Sequence, residues 1–248
     1  METIDSVKQI SSEIRNSLLK EGASLVGFAD IRPIPSEARQ SMDHAISIGV
    51  ALNPAIIRRV GLNGPTREYS YDKVRANSLA NYLCEFGTKL LTDRGYKAVP
   101  LLADDHKKVD KQTVSAPFQH KTAATRAGLG WIGKSALLVT EEYGSALRLS
   151  TILTDAVLEC GTPIEISKCG ECQECTNACP AKAINGTLWD IAKSKEDILK
   201  GRNHLINLTN CSRYYSKTNE MLGIVAPARV CGICIAACPK TKRYIGEK

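Results

Sequence analysis

Aromatic side chains are scarce in this chain: Phe, Trp and Tyr make up 5% of its 248 residues, against a hydrophobic share of 43%. A core drawn from this composition is aliphatic, which suits layered α/β packing, and the length allows one large domain plus a small one. Long apolar runs are absent as well, and the first residues, Met1-Glu2-Thr3-Ile4-Asp5, are acidic and polar. Neither an export signal nor a membrane span is therefore expected. That places the protein in a reducing cytoplasm, with no membrane partner, where a disulfide framework would not persist. Apart from one paired cysteine motif there is no internal repeat, and no segment is low in complexity.

What the chain does have is cysteine. Seven of ten cysteines fall in two runs that each end in Cys-Pro: Cys169-Gly-Glu-Cys172-Gln-Glu-Cys175-Thr-Asn-Ala-Cys179-Pro180 and Cys231-Gly-Ile-Cys234-Ile-Ala-Ala-Cys238-Pro239. Three thiolates spaced two apart can wrap one 4Fe-4S cubane, and the cysteine before proline turns outward to ligate a neighbouring one. Because the second run is one cysteine short, a full pair of cubanes needs an eighth ligand, and Cys211, between the runs, is the candidate. The expected sets are Cys169, Cys172, Cys175 and Cys238 for cluster one, and Cys179, Cys211, Cys231 and Cys234 for cluster two. Zinc is the competing reading of Cys-x-x-Cys, but zinc does not call for a triple run closed by Cys-Pro, twice. Cys84 and Cys160 are left over as small buried hydrophobes.

The formal charge of +7 counts every cysteine as neutral. Eight ligating thiolates and two oxidised cubanes together leave roughly +3, so nucleic-acid binding does not follow from charge.

Periodicity places a helix over Ile4, Val7, Ile10, Ile14 and Leu18, stopped at Gly22, then buried strands at Ala23 to Ala29 and Ala45 to Leu52. A long helix from about Tyr71 to Asp93, with Val74, Leu79, Leu83, Phe86 and Leu90 on one face, leads past Gly95 to a strand over Tyr96 to Leu102. Asp104 to Lys111 reads as a surface loop. A short Ala-rich helix, His120 to Ala127, precedes Gly128-Leu-Gly130-Trp131-Ile-Gly133-Lys134, then apolar Ala136 to Thr140 and Leu147 to Thr154. The insert after Ile184 carries a short helix around Lys195 to Lys200. The fold class is α/β (α+β): an N-terminal domain, residues 1–165, and a ferredoxin-like domain with two 4Fe-4S clusters, residues 166–248.

Gly128 to Gly133 spells G-x-G-x-x-G. A dinucleotide site needs a strand before this motif and a helix after it, and here the order is reversed. Two readings remain: the glycines let backbone approach some large flat ligand, or they serve packing.

Taken together, Ser115-Ala-Pro117, Ala127-Gly-Leu-Gly-Trp-Ile-Gly-Lys134, Leu137-Leu-Val, Gly144-Ser145, Leu153-Thr-Asp155 and the double Cys-Pro motif resemble the epoxyqueuosine reductase family, which shares its catalytic plan with reductive dehalogenases. The resemblance runs from about Tyr69 onward. It implies a cobalamin, lower base detached, in the N-terminal domain beside the two clusters, and it agrees with the ligand split above. Residues it points toward the corrinoid are Arg67, Tyr71, Gly128, Gly130, Trp131, Gly133 and Lys134. For Trp131 a core role is the alternative, for Arg67 a solvated one, and for Tyr71 a core one. No Asp-x-His-x-x-Gly motif signals a histidine ligand for cobalt.

One departure matters. Where the family carries an Asp as proton donor before Ser-Ala-Pro, this chain has Val114, which cannot titrate. His120, where the family tends to carry Glu, is the candidate substitute; a surface histidine is the plain reading. A tRNA substrate is doubtful, since the helical-repeat extension of many family members is missing. The expected function is an iron–sulfur, corrinoid-dependent reductase with an unidentified small-molecule or protein substrate. Its electrons would come from a low-potential ferredoxin- or flavodoxin-type donor. The alternatives are an electron-transfer protein that reduces a partner such as a corrinoid protein, or the same fold with a flavin or nothing in the N-terminal cavity.

Overall fold

The computed structural model describes residues 3–103, 118–190, 204–224 and 230–247. Val114, the stretch 115–117, the polar loop at 104–111 and the helix expected near 195–200 lie outside them.

Helix α1 (Ile4–Lys20) starts at Thr3, whose hydroxyl accepts from the Ser6 amide, and buries Ile14 and Leu18. Strands β1 (Leu25–Asp30) and β2 (His44–Ala51) follow. Helix α2 (Pro54–Asn63) begins with an Asn53 cap and a proline in its first turn and stops at Gly64. These start and stop signals stand in the sequence but were not read there. Helix α3 (Arg67–Thr92) leads to β3 (Ala98–Leu101), α4 (His120–Arg126), β4 (Trp131–Ile132), β5 (Leu138–Val139) and β6 (Leu147–Thr154). Toward the C-terminus come α5 (Glu174–Ala178), α6 (Leu208–Met221), α7 (Ile233–Ala236) and α8 (Pro239–Tyr244).

The main sheet runs β1-β2-β6-β3, antiparallel throughout. Alternation along its strands sorts the two faces. Val26, Phe28, Ile46, Ile48, Val50 and Ile152 pack with α1 and α3 in the large core, whereas Ala29, Ala45 and Leu153 pack with Ala123 and Ala127 of α4 on the other side. That second face is lined by small residues because α4 sits close. A Cβ on Gly27 would stand 2.9 Å from the Ala127 methyl and 2.8 Å from Leu129.

Of the expected face of α3, Leu83 is buried and Leu79 and Phe86 pack against the core, but the tightest approach to the sheet is made by smaller residues. Val74 is exposed, and the residues against the sheet include Ala76, Ala80, Leu83, Cys84, Gly87 and Leu91. Gly87 is required there: a Cβ would lie 2.7 Å from Ile152. The cysteine-bearing C-terminal region is joined to this core rather than packed apart from it, since Val230, Ile235, Ala236 and Ile245 belong to the same cluster as Ile57 and Val60 of α2.

Candidate iron–sulfur centre

Five of the eight predicted cysteines are set by a helix or its cap. Cys175 lies in α5 and Cys179 ends it; Cys211 sits in α6, whose Asn207 cap accepts from the Asn210 amide; Cys234 lies in α7; Cys238 caps α8 with Pro239 in its first turn. Proline keeps the residue before it extended, and both Cys179 and Cys238 are, so each thiol projects off the end of its own run.

The thiols converge in two groups. Burial first, and then the neighbouring Cys169 and Cys238 charges, push the Cys175 thiol up to about 11, with Cys172 also in range. Burial likewise raises Cys231, which feels Cys211 and Cys179, and raises Cys234, which feels Cys231, Cys175, Cys211 and Cys179. Thiols gathered this closely resist ionising unless a positive group lies among them, which is what iron supplies. All ten cysteines are free thiols. Cys179 Sγ also accepts the Ala183 amide at 3.3 Å, a hydrogen bond suited to a ligating thiolate.

The two groups have different surroundings. Around the first, Lys168, Gly170, Glu171, Gln173 and Glu174 are exposed. Beside the second lies Tyr69, 4% exposed, which the sequence did not single out. Gly232 has φ +76°, and a Cβ there would fall 2.8 Å from the Tyr69 ring, so Tyr69 covers the turn between Cys231 and Cys234.

The glycine stretch packs closely against the protein's own chain. Gly128, φ +73°, ends α4, and a Cβ there would meet the Thr162 carbonyl oxygen at 2.7 Å; on Gly130 it would meet the Val139 oxygen at 2.2 Å, and on Gly133 the Val139 side chain at 2.7 Å. Residues 131–139 form a small hairpin, Trp131 opposite Val139. The Cβ side of each glycine is thus filled by the protein's own chain, which supports the packing reading. Trp131 is 1% exposed, in the core, with the Lys168 and Lys240 ammonium groups 5.7 and 5.9 Å from its ring. Lys134 is buried, its Nζ donating to the Cys172 carbonyl at 2.9 Å. Gly133 stands against Cys169 Sγ, 3.5 Å from the position a Cβ would take. This stretch braces the first cysteine run.

Arg67 donates from Nε to the Leu222 carbonyl, tying the start of α3 to the end of α6. Tyr71, one turn on, is 71% exposed and not a core residue. His120 is neither on a helix surface nor ready to give a proton. Its Nδ1 lies 2.9 Å from Thr151 Oγ1 and its Nε2 3.1 Å from the Leu102 carbonyl, which can only accept. Desolvation lowers its pKa to about 4, so at neutral pH the ring is uncharged and its one N–H is engaged.

Comparison with known proteins agrees with this centre. A 4Fe-4S double cluster binding domain matches residues 168–241. The epoxyqueuosine reductase of Atelocyanobacterium thalassa (isolate ALOHA) is 35% identical over 133 residues, 54% of this chain and 41% of that protein. The tetrachloroethene reductive dehalogenase of Sulfurospirillum multivorans is 25% identical over 241 residues, 92% of this chain and 42% of that protein. The chain spans less than half the length of these relatives. Among solved structures, a catabolic reductive dehalogenase in complex with 3-bromo-4-hydroxybenzoic acid superposes with a TM-score of 0.69 at 17% identity, over 95% of this chain and 32% of that one. An epoxyqueuosine reductase with an epoxyqueuosine-modified tRNA-Tyr stem loop gives 0.58 at 17%, over 94% and 66%. The chain thus carries a double 4Fe-4S cluster domain, is similar in sequence to epoxyqueuosine reductases, and shares its fold with them and with reductive dehalogenases.

Proposed function

We propose that this protein is a cytoplasmic iron–sulfur reductase that moves single electrons from a surface donor to a site at the start of α3. The observation that carries this reading is the sequence of environments along the thiols. The first set is flanked by exposed Lys168, Gly170, Glu171, Gln173 and Glu174, and the second is covered by Tyr69 on α3. The residues proposed as ligands are Cys169, Cys172, Cys175 and Cys238 for one cluster and Cys179, Cys211, Cys231 and Cys234 for the other. When bound, the clusters supply one-electron transfer and a corrinoid would supply low-potential cobalt chemistry. The chain's own part is to shield and orient. Tyr69 keeps water from the Cys231–Cys234 turn, Lys134 holds the Cys172 loop, and Arg67 fixes the start of α3 against α6. A low-potential ferredoxin- or flavodoxin-type donor fits the exposed side.

A corrinoid is the finer part of the proposal. Its support is a fold shared, at a TM-score of 0.68 and 15% identity, with a reductive dehalogenase whose structure suggests a mechanism for B12-dependent dehalogenation. Arg67 and exposed Tyr71, at the start of α3, are the side chains proposed to meet it. Titration with cob(II)alamin tests this. Binding with loss of the lower-base nitrogen coupling in the electron paramagnetic resonance spectrum is expected, and absence of binding would overturn it.

The second reading is an electron-transfer protein that reduces a partner. It is favoured by Val114, which cannot donate a proton, together with a neutral, fully engaged His120. Epoxyqueuosine turnover on tRNA is accordingly expected to be weak.

A further inference from the structure

Among the described residues, Lys134 is a buried cation with no anionic partner. It is 3% exposed, and its only described partner is the Cys172 carbonyl, 2.9 Å from Nζ. Nearby charges are otherwise accounted for. Lys240 pairs with Glu141 at 2.6 Å, Lys242 lies 3.8 Å from Glu174, and Glu171 and Lys168 are exposed to solvent. An ammonium removed from water without an anion costs several kcal/mol, so a buried lysine of this kind implies a negative group beside it. Four cysteine thiolates around an oxidised cubane carry about −2 in total. Lys134 touches the backbone of one proposed ligand, and its neighbour Gly133 lies against the sulfur of another, Cys169.

We propose that Lys134 is the internal counter-ion of the cluster held by Cys169, Cys172, Cys175 and Cys238, and that it sets that cluster's reduction potential above its neighbour's. The proposal rests on the ligand assignment above. Reduction moves one electron from the donor onto the cluster with no bond made or broken, making the cluster more negative. A fixed cation in a medium of low dielectric stabilises that product more than the oxidised state. The second set is the more enclosed: Tyr69, Val230, Ile235 and Ala236 are buried around it, so added negative charge is less well solvated there. Lys168 and Lys240 add less to the first, one exposed and the other paired. An incoming electron would therefore rest on the outer cluster before moving inward.

The test is a redox titration of the anaerobically reconstituted protein, followed by electron paramagnetic resonance. Lys134→Met should shift the higher-potential couple down by about tenfold in equilibrium constant, 59 mV for one electron, and leave the lower couple in place; Lys134→Arg should keep both. Movement of the lower couple alone, or of neither, overturns the proposal. If Lys134→Met holds fewer irons than wild type, the Arg variant decides. Full iron with Arg supports a required cation, and loss with Arg as well marks a packing role and overturns it. A wild type lacking two clusters would instead refute the ligand assignment, so the two failures are distinguishable.

Discussion

At the scale of single residues, His120 links β6 to the carbonyl that follows β3, and burial there keeps its ring neutral against the pull of the Leu102 hydrogen bond. Its folded pKa, about 4, lies below the ordinary 6.5, so between these values the unfolded chain binds more protons than the folded one. The stability this provides is complete above pH 6.5 and is lost as pH falls toward 4, on the order of 3 kcal/mol in all. Denaturant midpoints measured across that window should fall more steeply in wild type than in His120→Gln; equal slopes would show that another group titrates. A second prediction concerns Gly130. Because its missing side chain faces the Val139 carbonyl 2.2 Å away, Gly130→Ala should cost about 2 kcal/mol or more through a forced backbone shift. A thermal midpoint within 1 °C of wild type would contradict the packing role assigned to it.

Elements show which features a sequence makes legible. The cysteine runs were readable because ligand chemistry fixes their spacing, and Leu147 to Thr154 because a buried strand is a continuous apolar run between breakers; β6 occupies those residues. Large apolar side chains mark only part of the buried face of α3, because close approach to the sheet also selects Ala76, Ala80 and Gly87. The glycine stretch was legible as a demand for close approach but not as to what approaches. In the fold that is Thr162, beyond β6, and Val139, in the strand paired with Trp131 and Ile132. Nothing in the sequence marks Tyr69, since its role depends on the chain returning more than 160 residues later at Gly232. Helix α6 carries Cys211 toward Cys231 and Cys234, whereas Cys84 is buried in α3 near the Leu101 and Thr151 carbonyls. Cys211→Ala should therefore lower iron content while Cys84→Ala leaves it unchanged. Equal iron in wild type and Cys211→Ala would show that another group is the eighth ligand.

Over the whole molecule, the two cysteine runs and α6 lie far apart in sequence, yet each thiol group draws on more than one of them. The second run also belongs to the main core through Ile235 and Ala236. Among the described residues no helix is long and apolar enough to cross a membrane. Clusters bound in this way act as cross-links between segments, so their assembly and the folding of the C-terminal region should be coupled. Iron and acid-labile sulfide per chain, measured after anaerobic reconstitution, test the central claim most directly. Two complete ligand sets predict about eight of each; saturation at four would contradict the account.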